Sequence, residues 1–350
     1  ITLEAGKKYA VKMEWRRDKN STSLVFKWKT PAPDKATCFW SDVADGVDYY
    51  FVYGPDLEKV IAGYRAITGR AAMLPRWAFG FWQSRERYET QQQSIDVVKE
   101  YRKRGIPFDN IVQDWQYWHI DQWGSQEFDR ERFPDPAGWV KELHDLHAQV
   151  MISVWAKFYA ATDNYKEMLK AGYLYPTNVK LGSLDFLGYP FAFFDAYDPA
   201  ACDLFWSMMK KHILAAGVDA WWMDASEPDM TPRPELESQK EYLNPTHLGS
   251  GARMLLGYPL MLAKTVYEGQ RQELPDQRVF NLTRSGYLGL QRYGAASWSG
   301  DITSTWTAMK KQIAAGVSYS VSGLPYWTMD SGGFSVPGRF DPAAATKADV

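Results

Sequence analysis

Residues 208–224 read "MMKKHILAAGVDAWWMD": a run of helix-forming residues, a glycine, then a short apolar stretch closed by an aspartate. Gly217 suits the left-handed position that ends a helix. Within "DAWWM" the run "AWWM" is too short for a helix and continuously apolar, as a strand covered on both faces must be. The same unit recurs in "VVKEYRKRGIPFDNIVQD" (97–114) and "MKKQIAAGVSYSVSGLPYWTMD" (309–330), with Gly105 and Gly316 in the place of Gly217. In the third copy Trp306, Met309 and Ile313, at i, i+3 and i+7, predict the buried face of its helix. Strands are expected near 78–82, 110–115, 150–155, 219–224, 278–282, 296–300 and 319–328, with helical segments between most of them. Alternating β and α elements argue for a parallel sheet covered by helices, as a barrel or an open doubly wound sheet. No glycine-rich nucleotide fingerprint follows any strand, which counts against the dinucleotide-binding version. Polar and aromatic residues gather instead at strand C-termini: Gln83 and Arg85, Asp114 and Trp115, Trp155 and Lys157, Asp224 and Glu227, Arg284, Asp301, Asp330. That distribution belongs to an α/β (β/α)8 TIM barrel, whose active site is built from those ends. Seven strands are counted and the chain stops soon after the seventh, so residues 75–350 are expected to be a barrel truncated at its C-terminus.

Upstream the character changes. Residues 1–30 alternate in period two ("KYAVKMEW", "SLVFKWK") around the polar "RRDKNSTS", which predicts an antiparallel hairpin. The Pro-rich "TPAPDKA" (30–36) marks a boundary, and "DYYFVYGP" reads as a second short β region. The expected organisation is β-rich N-terminal segments, 1–33 and 34–74, ahead of the barrel. Because the chain begins with Ile1 rather than Met, it is expected to be a fragment or a processed product.

Composition narrows the function classes. The 350 residues carry 40 Lys+Arg against 42 Asp+Glu, so the balance suggests no nucleic-acid partner. No apolar run reaches membrane-spanning length. The two cysteines, Cys38 and Cys202, are too few for a disulfide scaffold or a thiolate metal site. Aromatic residues make up 15%, including 16 Trp and 21 Tyr, a content that suits sugar-stacking walls as well as a core. Asn20 and Asn281 fit the glycosylation sequon.

Two strand-end carboxylates, Asp224 and Asp301, can flank a substrate bond, one attacking while the other delivers a proton. Each can equally serve as a helix N-cap, Asp301 above all, because "DITSTW" leads into a helix. Glu227 and Asp229 could join Asp224 as metal ligands, although a hard-cation site needs further oxygens. Arg284 can hold a carboxylate or a sugar hydroxyl, or form a structural ion pair. Asp114 can take two adjacent hydroxyls or cap its loop. Trp155, Trp222, Trp298 and Trp327 can wall a sugar pocket or fill the core. His144 and His147, in the polar "KELHDLHAQ", read as a solvated face.

Taken together these motifs resemble glycoside hydrolase family 31, the retaining α-glucosidases and α-xylosidases. "WWMDASEPD" (221–229) is similar to the family's nucleophile region, which implies Asp224 as nucleophile, with Glu227 in a supporting or substrate-contact role. "RSGYLGLQRYGAASWSGD" (284–301) resembles its second signature, implying Asp301 as acid/base and Arg284 and Trp298 as pocket residues. "YWTMDSGGF" (326–334) looks like its D-I-G-G-F stretch, so Asp330 should reach the pocket, although Met329 and Ser331 depart from the usual residues. "FGFWQSRERY", "IVQDWQYW" and "ISVWAKFY" match its early strands, and by that match Asp114 and Trp155 contact the innermost sugar. The resemblance covers about residues 40–340. "FWQSRERY", "VWAKFY", with Lys157, and "MDASEPD" look most like bacterial α-xylosidases acting on xyloglucan oligosaccharides. Residues 1–30 are similar to the end of a PA14 module, which such enzymes carry as an insert.

The resemblance implies two steps. Asp224 attacks the anomeric carbon while Asp301 protonates the leaving oxygen; Asp301 then activates water, and the sugar leaves with retained configuration. No cofactor is implied, and a periplasmic or cell-surface bacterial location is favoured by the resemblance. The rivals are an α-glucosidase or α-transglucosylase on the same scaffold, and a barrel fragment that binds sugar without catalysis.

Overall fold

The computed structural model describes residues 41, 43–46, 48–228 and 235–336. The chain divides into residues 1–47 and 48–350, and the architecture below is that of the second unit. The hairpin and PA14-like module expected over 1–33 lie outside the described residues, as do Asn20, Cys38 and Asp229. Residues 48–54 form no strand among the described residues. Helix α1 (Leu57–Thr68) follows, capped by the Asp56 carboxylate accepting from the Lys59 amide.

From there β and α elements alternate. β1 (Trp82–Gln83), α2 (Gln91–Lys103), β2 (Asn110–Gln113), α3 (Pro136–Asp145) and β3 (Gln149–Val154) come first. An excursion holds β4 (Lys157–Tyr159), α4 (Asp163–Ala171), α5 (Pro176–Leu181) and β5 (Phe191–Phe193). The alternation resumes with α6 (Pro199–His212) and β6 (Ala220–Met223). Helices α7 (Leu236–Tyr242), α8 (Gly251–Met254) and α9 (Tyr258–Glu273) lead to β7 (Asn281–Thr283), β8 (Ala295–Trp298), α10 (Trp306–Val321) and β9 (Trp327–Thr328).

Seven strands form one sheet in the order β1-β2-β3-β6-β7-β8-β9, every neighbouring pair parallel. Strand side chains alternate in direction, and burial divides accordingly. Val112, Met151, Ala220, Trp222, Leu282, Ala296 and Trp298 pack together on the concave side. Ile111, Val150, Ile152, Val154, Trp221 and Met223 join the larger cluster formed with the helices. The sheet is curled: Phe79 before β1 meets Tyr326 before β9 at 6.0 Å, and the Tyr326 hydroxyl donates to the Ala72 carbonyl. Among the described residues no strand joins the β1 and β9 edges.

Local signals set the element ends. Thr90 caps α2 and Asp198 caps α6 through their side-chain oxygens, and Pro199 opens α6. Gly105 (φ 66°) and Gly217 (φ 94°) adopt the left-handed conformation read from the sequence. Gly316 does not: it lies inside α10, buried, where a Cβ would stand 2.5 Å from the Trp327 ring. Its role is close approach, and α10 runs through the first residues of the strand expected over 319–328, which shrinks to β9. Trp306, Met309 and Ile313 are exposed rather than buried. Their periodicity is helical, but the inner face of α10 is made by Gly316 and Tyr319, whose ring packs on Trp327 at 5.1 Å. The first strand is also later than expected, since residues 76–79 form a 3-10 turn after Pro75. His144 is not merely solvated: its Nε2 lies 2.8 Å from Asp219 Oδ2, which also accepts from the Val150 amide. The Asn281 sequon is fully buried in β7, its amide donating to the Tyr293 carbonyl at 3.0 Å, so it is no glycosylation site in this fold.

Candidate active site

The C-terminal ends of the strands open into one cavity of about 1550 Å³. Asp114, Trp155, Lys157, Trp222, Asp224, Arg284, Trp298, Asp301 and Asp330 all line it, as does Trp327. Glu227, also singled out from sequence, is not among the lining residues.

Alternation along β6 sends Trp222 inward and Trp221 outward, and Asp224 follows where the strand ends. The chain then turns through Ala225 at φ 53°, a conformation uncommon for a residue with a Cβ. That turn brings the Ala225 amide to Asp224 Oδ1 at 2.7 Å. Arg284, one residue past β7, spans two acids: Nη1 is 3.3 Å from Asp224 Oδ1, and Nε donates to Glu227 Oε1 at 2.8 Å. Beneath them the buried Ser226 hydroxyl is bonded to that of Thr283 on β7, fixing the loop against its neighbouring strand. Arg284 therefore reaches the acid at the strand end and the acid three residues on at once. No helix begins at Asp224; α7 starts at Leu236.

Asp114, directly after β2, is 7% exposed and accepts from the Trp115 amide at 2.6 Å. Trp155 follows β3 and donates through its indole N–H to Ser153 Oγ at 3.0 Å, which fixes the ring. The Trp222 and Trp298 rings lie 4.9 Å apart. Asp301 sits three residues beyond β8, after Gly300 at φ 71°. It is not the cap of α10: Thr305 accepts from the Ala308 amide and leaves the Asp301 carboxylate exposed. Asp330 lies two residues beyond β9.

Gathering acids in a confined space raises the cost of ionising them. Burial pushes Asp224 up to about 7, against the pull of the Arg284 charge and with a further push from Asp301. Asp330 is likewise raised to about 7 by burial, then by the charges of Asp301 and Asp224. Asp114 is held well above the usual carboxylate range by burial and by Asp224, with a smaller push from Asp301. These mutual pushes tie the acids at the ends of β2, β6, β8 and β9 into one electrostatic unit. Strongly perturbed carboxyls in a cleft are what acid–base and nucleophilic chemistry requires. Among the described residues no group of three or more His, Cys, Asp or Glu is arranged to hold a metal ion.

Sequence reasoning saw only Trp115 of one wall. Trp115 stacks on Trp123 at 5.3 Å, Arg87 lies over Trp115 at 4.9 Å, and Phe186 meets both indoles edge-on. Trp115 had a signal, its place beside Asp114. Phe186 had none, because its approach depends on the β4–β5 excursion. Lys157 begins β4, with its Nζ 3.5 Å from the Trp123 ring centre and 3.0 Å from Asp185 Oδ2.

Comparison with known proteins bears on the family and the fold. The family model described as "Glycosyl hydrolases family 31 TIM-barrel domain" matches residues 71–347. The chain is 41% identical over 300 residues to an alpha-xylosidase of Saccharolobus solfataricus, a match covering 84% of this chain and 38% of that protein. It is 32% identical over 323 residues to an uncharacterized family 31 glucosidase of Pseudescherichia vulneris, covering 90% and 59%. The crystal structure of a GH31 alpha-xylosidase from Xanthomonas citri superposes with a TM-score of 0.79 at 47% identity, over 83% of this chain and 32% of that one. A GH31 alpha-xylosidase from a soil metagenome, complexed with xylose, gives 0.74 at 36% identity, over 81% and 40%. The chain thus spans less than two thirds of the length of each of these relatives.

Proposed function

The chain belongs to glycoside hydrolase family 31, and on that premise we propose that it is the barrel of a retaining α-xylosidase releasing xylose from the non-reducing end of xyloglucan oligosaccharides. The observation that carries this reading is the meeting of Asp114, Asp224, Asp301 and Asp330 in one cavity walled by Trp155, Trp222 and Trp298. The seven parallel strands are read as seven of a (β/α)8 barrel, and the PA14-like resemblance supports reading residues 1–30 as the end of such a module. Two relatives bearing the alpha-xylosidase name or title, at 41% and 47% identity, favour the pentose over the hexose.

In this proposal Asp224 is the nucleophile. Its carboxylate, oriented by the Ala225 amide and drawn toward the ionised form by Arg284, attacks the anomeric carbon. Asp301 gives its proton to the departing glycosidic oxygen, so the C–O bond breaks as the ester to Asp224 forms. Asp301, now a carboxylate, takes a proton from water. The hydroxyl displaces Asp224 from the opposite face, and two inversions leave the xylose α-configured. Asp114 and Trp155 bind the sugar's hydroxyls and ring, and Asp330, Trp222 and Trp298 close the same pocket. Glu227 holds Arg284 in place through its hydrogen bond to Nε.

Hydrolysis of p-nitrophenyl α-xyloside against the α-glucoside by the intact protein tests the reading, with the first-formed anomer followed by NMR. The xyloside should be preferred and α-xylose should appear first; a clear glucoside preference, or the β-anomer first, overturns it. Product sizing separates hydrolysis from transfer to a second sugar. Asp224→Ala should abolish turnover while retaining sugar binding, and unaltered turnover would remove the nucleophile assignment.

A further inference from the structure

Lys157 and Asp185 form an ion pair in which the side chains are 3% and 1% exposed, with Lys157 at the wall of the cavity. Taking two charges out of water costs several kcal/mol each, and a buried pair of this kind adds about as much stability as an apolar pair of the same size. What such a pair does supply is fixed geometry, and here the geometry it fixes is specific. Asp185 Oδ2 accepts from Lys157 Nζ at 3.0 Å and from the Tyr159 hydroxyl. Its Oδ1 accepts from the amides of Leu187 and Tyr189 at 2.9 and 3.3 Å. One carboxylate thereby ties the tight turn 185–189, which hangs between α5 and β5, to the start of β4. The Tyr189 ring stacks on Tyr159 at 5.0 Å and closes the arrangement.

The residue at the tip of that turn is Phe186. It lines the cavity, yet it is 55% exposed. It meets Trp115 and Trp123 edge-to-face at 6.0 and 6.1 Å, with ring planes at 75° and 87°. Lys157 lies beneath the same group, 3.5 Å from the Trp123 ring centre and 5.8 Å from that of Phe186. A large apolar ring held half in water by a buried polar anchor is poorly used as core, because only about half of its surface leaves solvent. It is well placed as a platform, since its edge packs on the indoles and its surface remains open for the C–H face of a sugar. Trp222 and Trp298, 8% and 3% exposed, lie deep at the strand ends beside Asp224. Phe186, 55% exposed, is far more open to solvent than either, which suits a sugar on the outer side of the scissile bond.

We propose that Phe186 is the stacking platform for the leaving-group sugar, and that Lys157, through its buried ion pair with Asp185, is the positioning residue that holds it there. This rests on the glycosidase reading above, and the test keeps the two apart by varying only the leaving group. kcat/KM is measured on α-xylosyl fluoride, which has no leaving sugar, and on α-D-xylosyl-(1→6)-D-glucose. In Phe186→Ala the disaccharide should lose about tenfold or more relative to the fluoride, mostly through KM; Phe186→Trp should restore the ratio. Asp185→Asn, which keeps the turn's two amide bonds but removes the charge, should shift the ratio in the same direction as Phe186→Ala, and Lys157→Met should match it if that variant folds. Equal losses on both substrates in Phe186→Ala overturn the platform. A normal ratio in folded Asp185→Asn overturns the positioning role. Failure of the parent protein to turn over the fluoride at all overturns the glycosidase reading instead.

Discussion

At the scale of single residues the site turns on what Arg284 does to Asp224. Its guanidinium is 3.3 Å from the carboxylate and opposes the burial that lifts Asp224 to about 7. A nucleophile must be ionised, so kcat/KM, which reports the free enzyme, should fall as pH drops through that region. Arg284→Gln removes the opposing charge, and the acid limb should move to higher pH; a limb that stays put or moves down would detach Arg284 from Asp224's ionisation. The same raised value has a consequence for stability. Folding lifts Asp224 from 3.8 to about 7, so the native state binds the proton more tightly than the unfolded chain, and stability declines as pH rises across that window. Asp224→Asn avoids the cost, which is on the order of a few kcal/mol for a shift of this size. Calorimetry should find the Asn variant more thermostable than the parent at pH 8, with the gap closing toward pH 4. A gap that widens on acidification would contradict the sign. The types of these residues were legible in sequence, as was the option that Arg284 holds a carboxylate. Which of its alternatives holds was not, because Arg284 and Asp224 are sixty positions apart and meet only when β6 and β7 pair.

At the scale of elements, the regular parts of the chain spoke clearly. Every copy of the helix–glycine–strand unit yields a parallel strand, and in the first two the local stop signal at Gly105 and Gly217 holds. The failures are where tertiary contact outvoted a local cue. Gly316 reads as a helix stop, but α10 continues through it because Trp327 occupies the space where a side chain would project. Replacing a mid-helix glycine by alanine ordinarily gains up to about 1 kcal/mol. Here the new Cβ would lie 2.5 Å from Trp327 Cδ1, and overpacking costs about 1–3 kcal/mol. Gly316→Ala should therefore lower the melting temperature and, because Trp327 lines the cavity, also lower kcat/KM. A rise in stability would mean that Trp327 yields freely. The β4–β5 excursion went unread for a related reason: its two strands are three residues each and are recognised by pairing with one another, not by pattern.

At the scale of the molecule, the concave cluster, the helix-side cluster and the convergence of strand ends are what the alternation of apolar runs and helices dictates. The faces at the ends of the sheet are different, for there the sequence pattern is correct and its burial is absent. Trp306, Met309, Ile313, Val317 and Val321 fall at spacings of three or four, one face of α10, and are 73, 41, 58, 62 and 49% exposed. At the other edge Phe79 and Phe81 are 64 and 44% exposed. Contiguous apolar surface of this kind drives association unless something covers it. Produced as these 350 residues, the chain should bind a dye that reports exposed apolar surface and should sediment as concentration-dependent oligomers. Charges introduced at the middle of the stripe, Ile313→Lys with Val317→Lys, touch no residue of the cavity's acid cluster and should reduce both effects. A parent chain that sediments as one monomeric species at all concentrations and leaves the dye dark would show that the stripe is satisfied by contacts other than those among residues 48–228 and 235–336.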